Sequence, residues 1–268
     1  MATPRPAFNA VILGAGVGSR LGPLTADRPK ALLPLADGGD TFLDHSLRCL
    51  QGTPVRQVHV VGGHAFAALE AHVAARWGDW LRRGVLVLRR FPDFRTVNNI
   101  GTLYFARAAF VEPCLLLNSD IVYHPAILRR ALEHMAQEAD QSFMVVDGSV
   151  DLAEEEMKVA VGEEGFLRAV SKRLAPAESA GEYIGILYLT PADADVVLSA
   201  AADLLAAGRT DLYYEDVIHS VLDRIRLRPL FIDGLPWTEV DTVEDYQRAR
   251  ALYSELKRDA AGGSHAHH

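Results

Sequence analysis

Between Ala10 and Pro34 the sequence AVILGAGVGSRLGPLTADRPKALLP sets three alternate glycines, Gly14, Gly16 and Gly18, directly after an apolar run, then adds Arg20 and Lys30. Glycines in such a loop admit positive φ and, lacking Cβ, let successive backbone N–H groups turn toward one anion. Arg20 and Lys30 bring two cations to the same neighbourhood, the complement that a polyphosphate needs. The pattern therefore predicts a triphosphate cradle, with Leu13, Gly14, Ala15, Gly16, Gly18 and Ser19 forming its loop. A dinucleotide fingerprint requires Gly-x-Gly-x-x-Gly, and Ser19 stands where the third glycine belongs. The Gly-Lys-Ser/Thr that closes a Walker loop is absent. A mere strand-to-turn corner would leave both cations and Pro29 unexplained.

Other residues able to do chemistry follow. LLLNSD reads as a buried strand delivering Ser119 and Asp120 to a crevice, although an Asp after a strand is also an ordinary turn or cap residue. Asp241 in WTEVDTVEDY has a similar double reading: helix cap, or a free carboxylate beside a capping Thr242. Lys158 and Lys172 are either solvated strand residues or grips for a phosphate. Asn98 and Asn99 stand where a helix would be capped. Tyr183, Tyr213, Tyr214 and Trp237 accompany Glu182, Glu215 and Asp216. Rings with carboxylates attract an amine or quaternary ammonium, while core packing and the helix dipole explain the same residues without a ligand.

The string GxGxGSRLxPLTxxxPKxLLP resembles the signature of the sugar-phosphate nucleotidyltransferases. That resemblance implies catalytic roles for Arg20 and Lys30 at the α-phosphate of a nucleoside triphosphate. It also implies Mg²⁺ held by Asp120 and Asp241, which match an Asp after the corresponding strand and a second near the C-terminus. LRAVSKRL resembles the family's I-x-E-K-P hairpin, with Ser for Glu and Arg173 for Pro, which makes Lys172 a grip for the acceptor phosphate. FRTVNNIGTLYFAR, GEYIGILYL, DLYYEDVIHSVL and WTEVDTVEDYQRAR resemble the choline-phosphate and 2-aminoethylphosphonate cytidylyltransferase branch. By that likeness Asn98, Asn99, Thr102 and Ser119 join the nucleotide site, and Lys158, Lys172, Glu182, Tyr183, Tyr214, Glu215, Asp216 and Trp237 the acceptor site. The implied reaction joins CMP from CTP, or the corresponding part of another nucleoside triphosphate, to a small phosphate or phosphonate. No general base is required, because the acceptor phosphate is already ionised near neutral pH; His64 and His219 receive no role. Two alternatives stay open: a hexose- or heptose-1-phosphate enzyme using UTP, dTTP or GTP, and an inactive regulatory subunit of the same fold.

These groups must be carried by a framework that the rest of the chain supplies. Of 268 residues, 49% are hydrophobic and 23% charged, ordinary for a globular protein, and the net charge is −8. That balance argues against nucleic acid or an anionic membrane as the main partner. No stretch reaches the roughly 18 apolar residues of a membrane span. Cys49 and Cys114 lie in apolar patterns and read as reduced core residues, so the expected location is cytoplasmic. Strands are predicted at 58–61, 85–88, 114–117 and 143–146, alternating with helices at 41–50, 65–77, 99–110 and 125–137. That rhythm implies an α/β fold with an open, doubly wound, mostly parallel, Rossmann-like sheet. Segments 157–161 and 166–171 read as a hairpin, a small antiparallel insertion on the acceptor side. A strand at 183–189, helices at 192–206 and 213–223, a strand at 230–232 and a helix at 243–256 complete the pattern. Residues 1–150 are assigned to a nucleotide-binding half and 151–259 to an acceptor-binding half with the closing helix. Residues 260–268 are expected to be a disordered tail.

Overall fold

A computed structural model describes residues 6–232 and 234–263. In chain order the elements are β1 (Phe8–Gly14), α1 (Phe42–Leu50), β2 (Val55–Gly62), α2 (Phe66–Arg82), β3 (Leu86–Arg90), α3 (Asn99–Phe105), β4 (Cys114–Asn118) and β5 (Ile121–Tyr123). There follow α4 (Pro125–Gln137), β6 (Phe143–Asp147), β7 (Lys158–Val161), β8 (Leu167–Ser171), β9 (Gly181–Leu189) and α5 (Pro191–Ala206). The chain closes with α6 (Tyr214–Ser220), β10 (Arg228–Phe231), β11 (Trp237–Glu239) and α7 (Val243–Gly263).

The main sheet runs β10-β6-β9-β4-β1-β2-β3, parallel except at β9, which is antiparallel to both β4 and β6. The hairpin β7–β8 joins it through β9. Side chains alternate across the sheet, so Ala10 and Ile12 of β1 pack with α1, α2 and α4, while Val11 packs with α3, α5 and α6. Leu13 pairs with Asn118, so the loops leaving β1 and β4 emerge side by side at one sheet edge, where open α/β sheets bind ligands.

A third apolar cluster does not belong to the main sheet. Leu21, Leu33 and Leu35 of the β1–α1 connection pack with Val122, Val240, Tyr246, Ala249 and Tyr253. Tyr246 Oη donates to the Pro34 carbonyl at 2.6 Å and Tyr253 Oη to Asp40 at 2.5 Å. The C-terminal helix is thereby fastened to the glycine-rich connection more than 200 positions earlier in the chain.

Several boundaries differ from the sequence expectation. The third helix ends at Phe105 and a separate 3-10 turn covers Arg107–Val111, because Ala106 leaves helical geometry at φ −80°, ψ 0°. The helix expected over 213–223 is confined to Tyr214–Ser220. The antiparallel pair β5–β11 was not foreseen, since three-residue strands carry no readable period. Helix α7 continues to Gly263, past the expected start of the tail at residue 260; the rest of that tail, 264–268, lies outside the described residues.

Candidate active site

The glycine loop performs its turn with fewer special angles than its composition suggests. Of Gly14, Gly16 and Gly18, only Gly18 is left-handed, at φ 65°. Its carbonyl accepts from the Leu21 N–H (3.0 Å) and the Thr25 hydroxyl (2.9 Å), which starts the 3-10 segment Ser19–Thr25. At Gly14 the close neighbour is Ser119, whose Oγ would stand 3.2 Å from an added Cβ. A Cβ on Gly16 would meet nothing within 4 Å, so Gly16 faces open space in the cleft. All three line a cleft of ≈ 830 Å³, with Leu13, Ala15, Ser19, Arg20 and Lys30.

At the lip of this loop four predicted side chains meet. Lys30 Nζ donates to Asp120 Oδ2 at 2.8 Å and to Asp241 Oδ1 at 3.0 Å, and Arg20 reaches Asp241 Oδ2 at 2.9 Å. Burial pulls the Lys30 ammonium toward losing its proton, but Asp120 and Asp241 more than offset this and hold its pKa above the ordinary lysine range. The backbone cause of the convergence is the β5–β11 pair. Ile121 lies opposite Glu239, and the Val240 N–H donates to the Asp120 carbonyl at 3.0 Å, which brings Asp120 beside Asp241. Thr242 and Asp245 cap α7 reciprocally: the Asp245 N–H donates to Thr242 Oγ1 (3.2 Å), and Asp245 Oδ2 accepts from the Thr242 N–H (2.7 Å). The cap is thus made by Thr242, and the carboxylate of Asp241 is left to the cleft.

Glu239 is the functional candidate that sequence reasoning missed. Its carboxylate lies with those of Asp120 and Asp241, ligand oxygens within 4.8 Å of one another. Burial first, then Asp120 and Asp241, push Glu239 up to about 8. The available signal was strand alternation, which puts residues two apart on one face. Asp120 Oδ1 is buried without a hydrogen-bond partner. An all-oxygen triad with one such oxygen suits a hard divalent cation.

Asn98, Asn99, Thr102 and Ser119 all line the cleft, on the wall formed by α3 and the end of β4. Part of their polar capacity is already used. Asn98 caps α3, accepting from the Asn99 N–H at 2.7 Å, and its amide donates to the Asp211 carbonyl at 3.1 Å. Asn99 Oδ1 accepts from the Tyr214 N–H at 2.7 Å.

Of the predicted acceptor residues, Lys172, Glu182, Tyr183, Glu215 and Trp237 line the cleft, and three do not. Lys158 is fully buried and donates to the carbonyls of Ala153 (2.9 Å), Glu154 (2.9 Å) and Glu156 (3.2 Å); it clamps a loop and has no reach to a phosphate. Tyr214 is fully buried behind the wall, where its hydroxyl pairs with Tyr183 Oη (2.8 Å) and donates to Asn118 Oδ1 (3.0 Å). Its neighbour Tyr213 lines the cleft instead, with Lys172 Nζ 5.8 Å from its ring centre. Asp216 is spent on capping α6, accepting from the Tyr213 N–H at 2.8 Å. Burial pushes Glu215 up to about 7; burial, then Glu156 and Asp147, does the same to Glu182.

The model of the MobA-like NTP transferase domain matches residues 10–260. A CMP-5'-(3-aminopropyl)phosphonate synthase of Streptomyces rubellomurinus is 36% identical over 121 residues, 45% of this chain and 18% of that protein. A bifunctional IPC transferase and DIPP synthase of Thermococcus kodakarensis is 28% identical over 255 residues, 95% of this chain and 52% of that protein. The chain thus spans about half, or less, of the length of these curated relatives. Among solved structures, the CTP:phosphocholine cytidylyltransferase from Streptococcus pneumoniae superposes with a TM-score of 0.74 at 18% identity, covering 92% of this chain and 99% of that one. The inositol-1-phosphate CTP transferase from T. maritima gives 0.76 at 19%, covering 94% and 98%. Both likenesses are of fold.

Proposed function

The chain belongs to the MobA-like NTP transferase family, and we propose from that premise that it joins CMP from CTP to a small phosphate or phosphonate acceptor, releasing pyrophosphate. The observation that carries this is the meeting of Arg20 and Lys30 with Asp120, Glu239 and Asp241 beside the glycine loop. The CTP- and CMP-linked activities named for several similar proteins support cytidine over other bases. Residues 1–150 would supply the nucleotide half and 151–259 the acceptor half, in a cytosolic enzyme.

In this mechanism the loop Gly14–Ser19 receives the triphosphate, and open space at Gly16 admits phosphate oxygens close to the backbone. Asp120, Glu239 and Asp241 would hold Mg²⁺, which when bound neutralises charge on phosphate oxygens. Lys30 turns its ammonium from the carboxylates to an α-phosphate oxygen, and Arg20 supplies a second donor at the lip. An ionised acceptor oxygen attacks the α-phosphorus in line. A new phosphorus–oxygen bond forms, the α–β anhydride bond breaks, and pyrophosphate leaves with the bonding electrons. No proton has to be removed, and Lys30 stabilises the negative charge that grows on the equatorial oxygens.

Pyrophosphate release across CTP, UTP, dTTP and GTP, each with phosphonate, phosphate-ester and sugar-phosphate acceptors, tests this reading. CTP with a small phosphate or phosphonate is expected to dominate. Preference for UTP, dTTP or GTP with a sugar phosphate would move the chain to the hexose-phosphate branch, and nucleotide binding without any turnover would favour a regulatory subunit.

A further inference from the structure

His64 brings no group to the reaction and does not line the cleft, yet it is bonded to both limbs of the glycine-rich connection. Its backbone N–H donates to the Ala15 carbonyl at 3.1 Å, which carries the β1–β2 ladder one step past the Gly14–Gly62 pair. Its ring does something the ladder does not require. Nε2 lies 2.6 Å from the carbonyl oxygen of Thr25, 39 positions away in the chain. A carbonyl can only accept, so Nε2 carries the hydrogen and the imidazole donates. Thr25 is 3% exposed, and its hydroxyl donates in turn to the carbonyl of Gly18, the left-handed residue of the loop, at 2.9 Å. Ala15 and Gly18 flank the open position at Gly16, so the loop is tied on both sides of it to one residue leaving β2.

The exit of β2 is shaped for this approach. Gly63 is buried, and a Cβ there would stand 2.7 Å from the Ala15 carbonyl oxygen and 2.6 Å from Phe94 Cβ, so only glycine lets the two connections lie this close. Ala65 follows at φ 47°, ψ 40°, the one positive-φ residue other than glycine among the described residues. That geometry is disfavoured for a residue with a Cβ. Here it turns the chain into α2 and leaves the His64 ring facing Thr25. Backbone outliers of this kind gather where function needs the chain held in one path.

We propose that His64 is the positioning residue of the triphosphate loop: its ring fixes Thr25, Thr25 fixes the Gly18 carbonyl, and the loop amides are aimed before a nucleotide arrives. The proposal rests on the nucleotide-binding part of the reading above and requires no proton transfer by the imidazole. Holding a loop in its bound form strengthens binding, because the ordering cost is not charged to association. The loop grips the triphosphate before and during transfer alike, so loss of the clamp should appear in nucleotide affinity and KM and leave kcat in place.

Calorimetry with CTP and Mg²⁺, the acceptor omitted, reads this without turnover, and inorganic tripolyphosphate reads the loop apart from the base. His64→Leu deletes the donor and keeps apolar bulk, whereas His64→Gln keeps an amide N–H near the place of Nε2. His64→Leu is expected to raise the Kd of both ligands at least tenfold, with His64→Gln within threefold of wild type. Thr25→Val should match His64→Leu, and Thr25→Ser should stay near wild type. His64→Leu combined with Thr25→Val should lie within threefold of the weaker single variant, because the two bonds act in series. In steady state, with the fastest phosphonate or phosphate acceptor, His64→Leu should raise KM for CTP at least tenfold, with kcat and the acceptor KM within threefold. Thermal melts establish that each variant folds; should His64→Leu fail to fold, the Thr25 pair decides alone. A lower Tm with unchanged CTP affinity, equal losses in His64→Leu and His64→Gln, or full multiplication of the two single effects would overturn the clamp and leave nucleotidyl transfer standing. CTP binding that is lost in His64→Leu and regained in His64→Gln, in a protein that turns over no acceptor, would keep the clamp and reject the transfer reaction. A wild type that binds neither ligand would reject both.

Discussion

Lys30→Met removes one charge at the point where both halves of the site meet, and two separate losses should follow, of which added Mg²⁺ reverses only the second. Lys30 is 12% exposed and contacts Asp120 and Asp241 at 2.8 and 3.0 Å. During transfer its ammonium is a fixed donor at developing charge, and deleting one such donor costs about 10²–10³ in kcat, or about 2.7–4 kcal/mol. In the unliganded protein the same change leaves the acids without their internal cation. Breaking a fully buried pair costs roughly 3–5 kcal/mol, but Asp120 and Asp241 are 21% and 34% exposed, so solvent screening reduces this to about 1–2 kcal/mol. That loss should be recovered by added Mg²⁺, because the variant offers the triad without a competing ammonium. Stopped pyrophosphate assays give kcat, and thermal melts with and without Mg²⁺ give the second effect. A kcat within threefold of wild type would refute the role at the α-phosphate, and a metal-induced stabilisation no larger than in wild type would refute the competition.

Asp120→Asn, Asp241→Asn and Glu239→Gln should each move the Mg²⁺ titration of activity to higher concentration by about tenfold or more; a variant with an unchanged titration curve does not carry a metal ligand. Glu215→Gln should make stability less dependent on pH. The folded-state value of Glu215 is raised to about 7 from the ordinary 4.5, so its contribution is fully present below about pH 4.5 and is lost as pH rises through about 7. The difference is roughly 3 kcal/mol, so the variant should match wild type near pH 4.5 and melt higher at pH 8.5; parallel melting curves across that range would contradict it. Gly18→Ala should lower Tm by roughly 3–6 °C, since a left-handed residue with Cβ costs roughly 1–2 kcal/mol and its Cβ would stand 3.3 Å from Thr25 Cγ2. An unchanged melting curve would show that the loop can adopt another path.

Much of this organisation was legible because it depends on local pattern. Continuous apolar runs marked β1, β4 and β6, Pro125 marked the start of α4, and the glycine–Arg–Lys spacing marked the loop. The convergence of Lys30 with Asp120 and Asp241 followed from family resemblance, while its physical cause did not. That cause is the β5–β11 ribbon and the cluster around Tyr246 and Tyr253, pairings between segments more than 100 residues apart that no local period announces. The same limit explains Lys158 and Tyr214. Side-chain type suggested a phosphate grip and an aromatic wall, but the pairing of β7 turned the lysine onto backbone carbonyls, and the packing of helix α6 set the tyrosine behind Tyr183. Glu239 was overlooked because the nearby Asp241 already met the expected ligand pattern.

A crystal structure with CTP and Mg²⁺ bound reaches the catalytic arrangement most directly. The expected result has Lys30 Nζ off the carboxylates and within hydrogen-bond distance of an α-phosphate oxygen, with Asp120 and Asp241 on the metal. A nucleotide bound elsewhere, or a triphosphate in the loop with Lys30 still bridging Asp120 and Asp241, would contradict it.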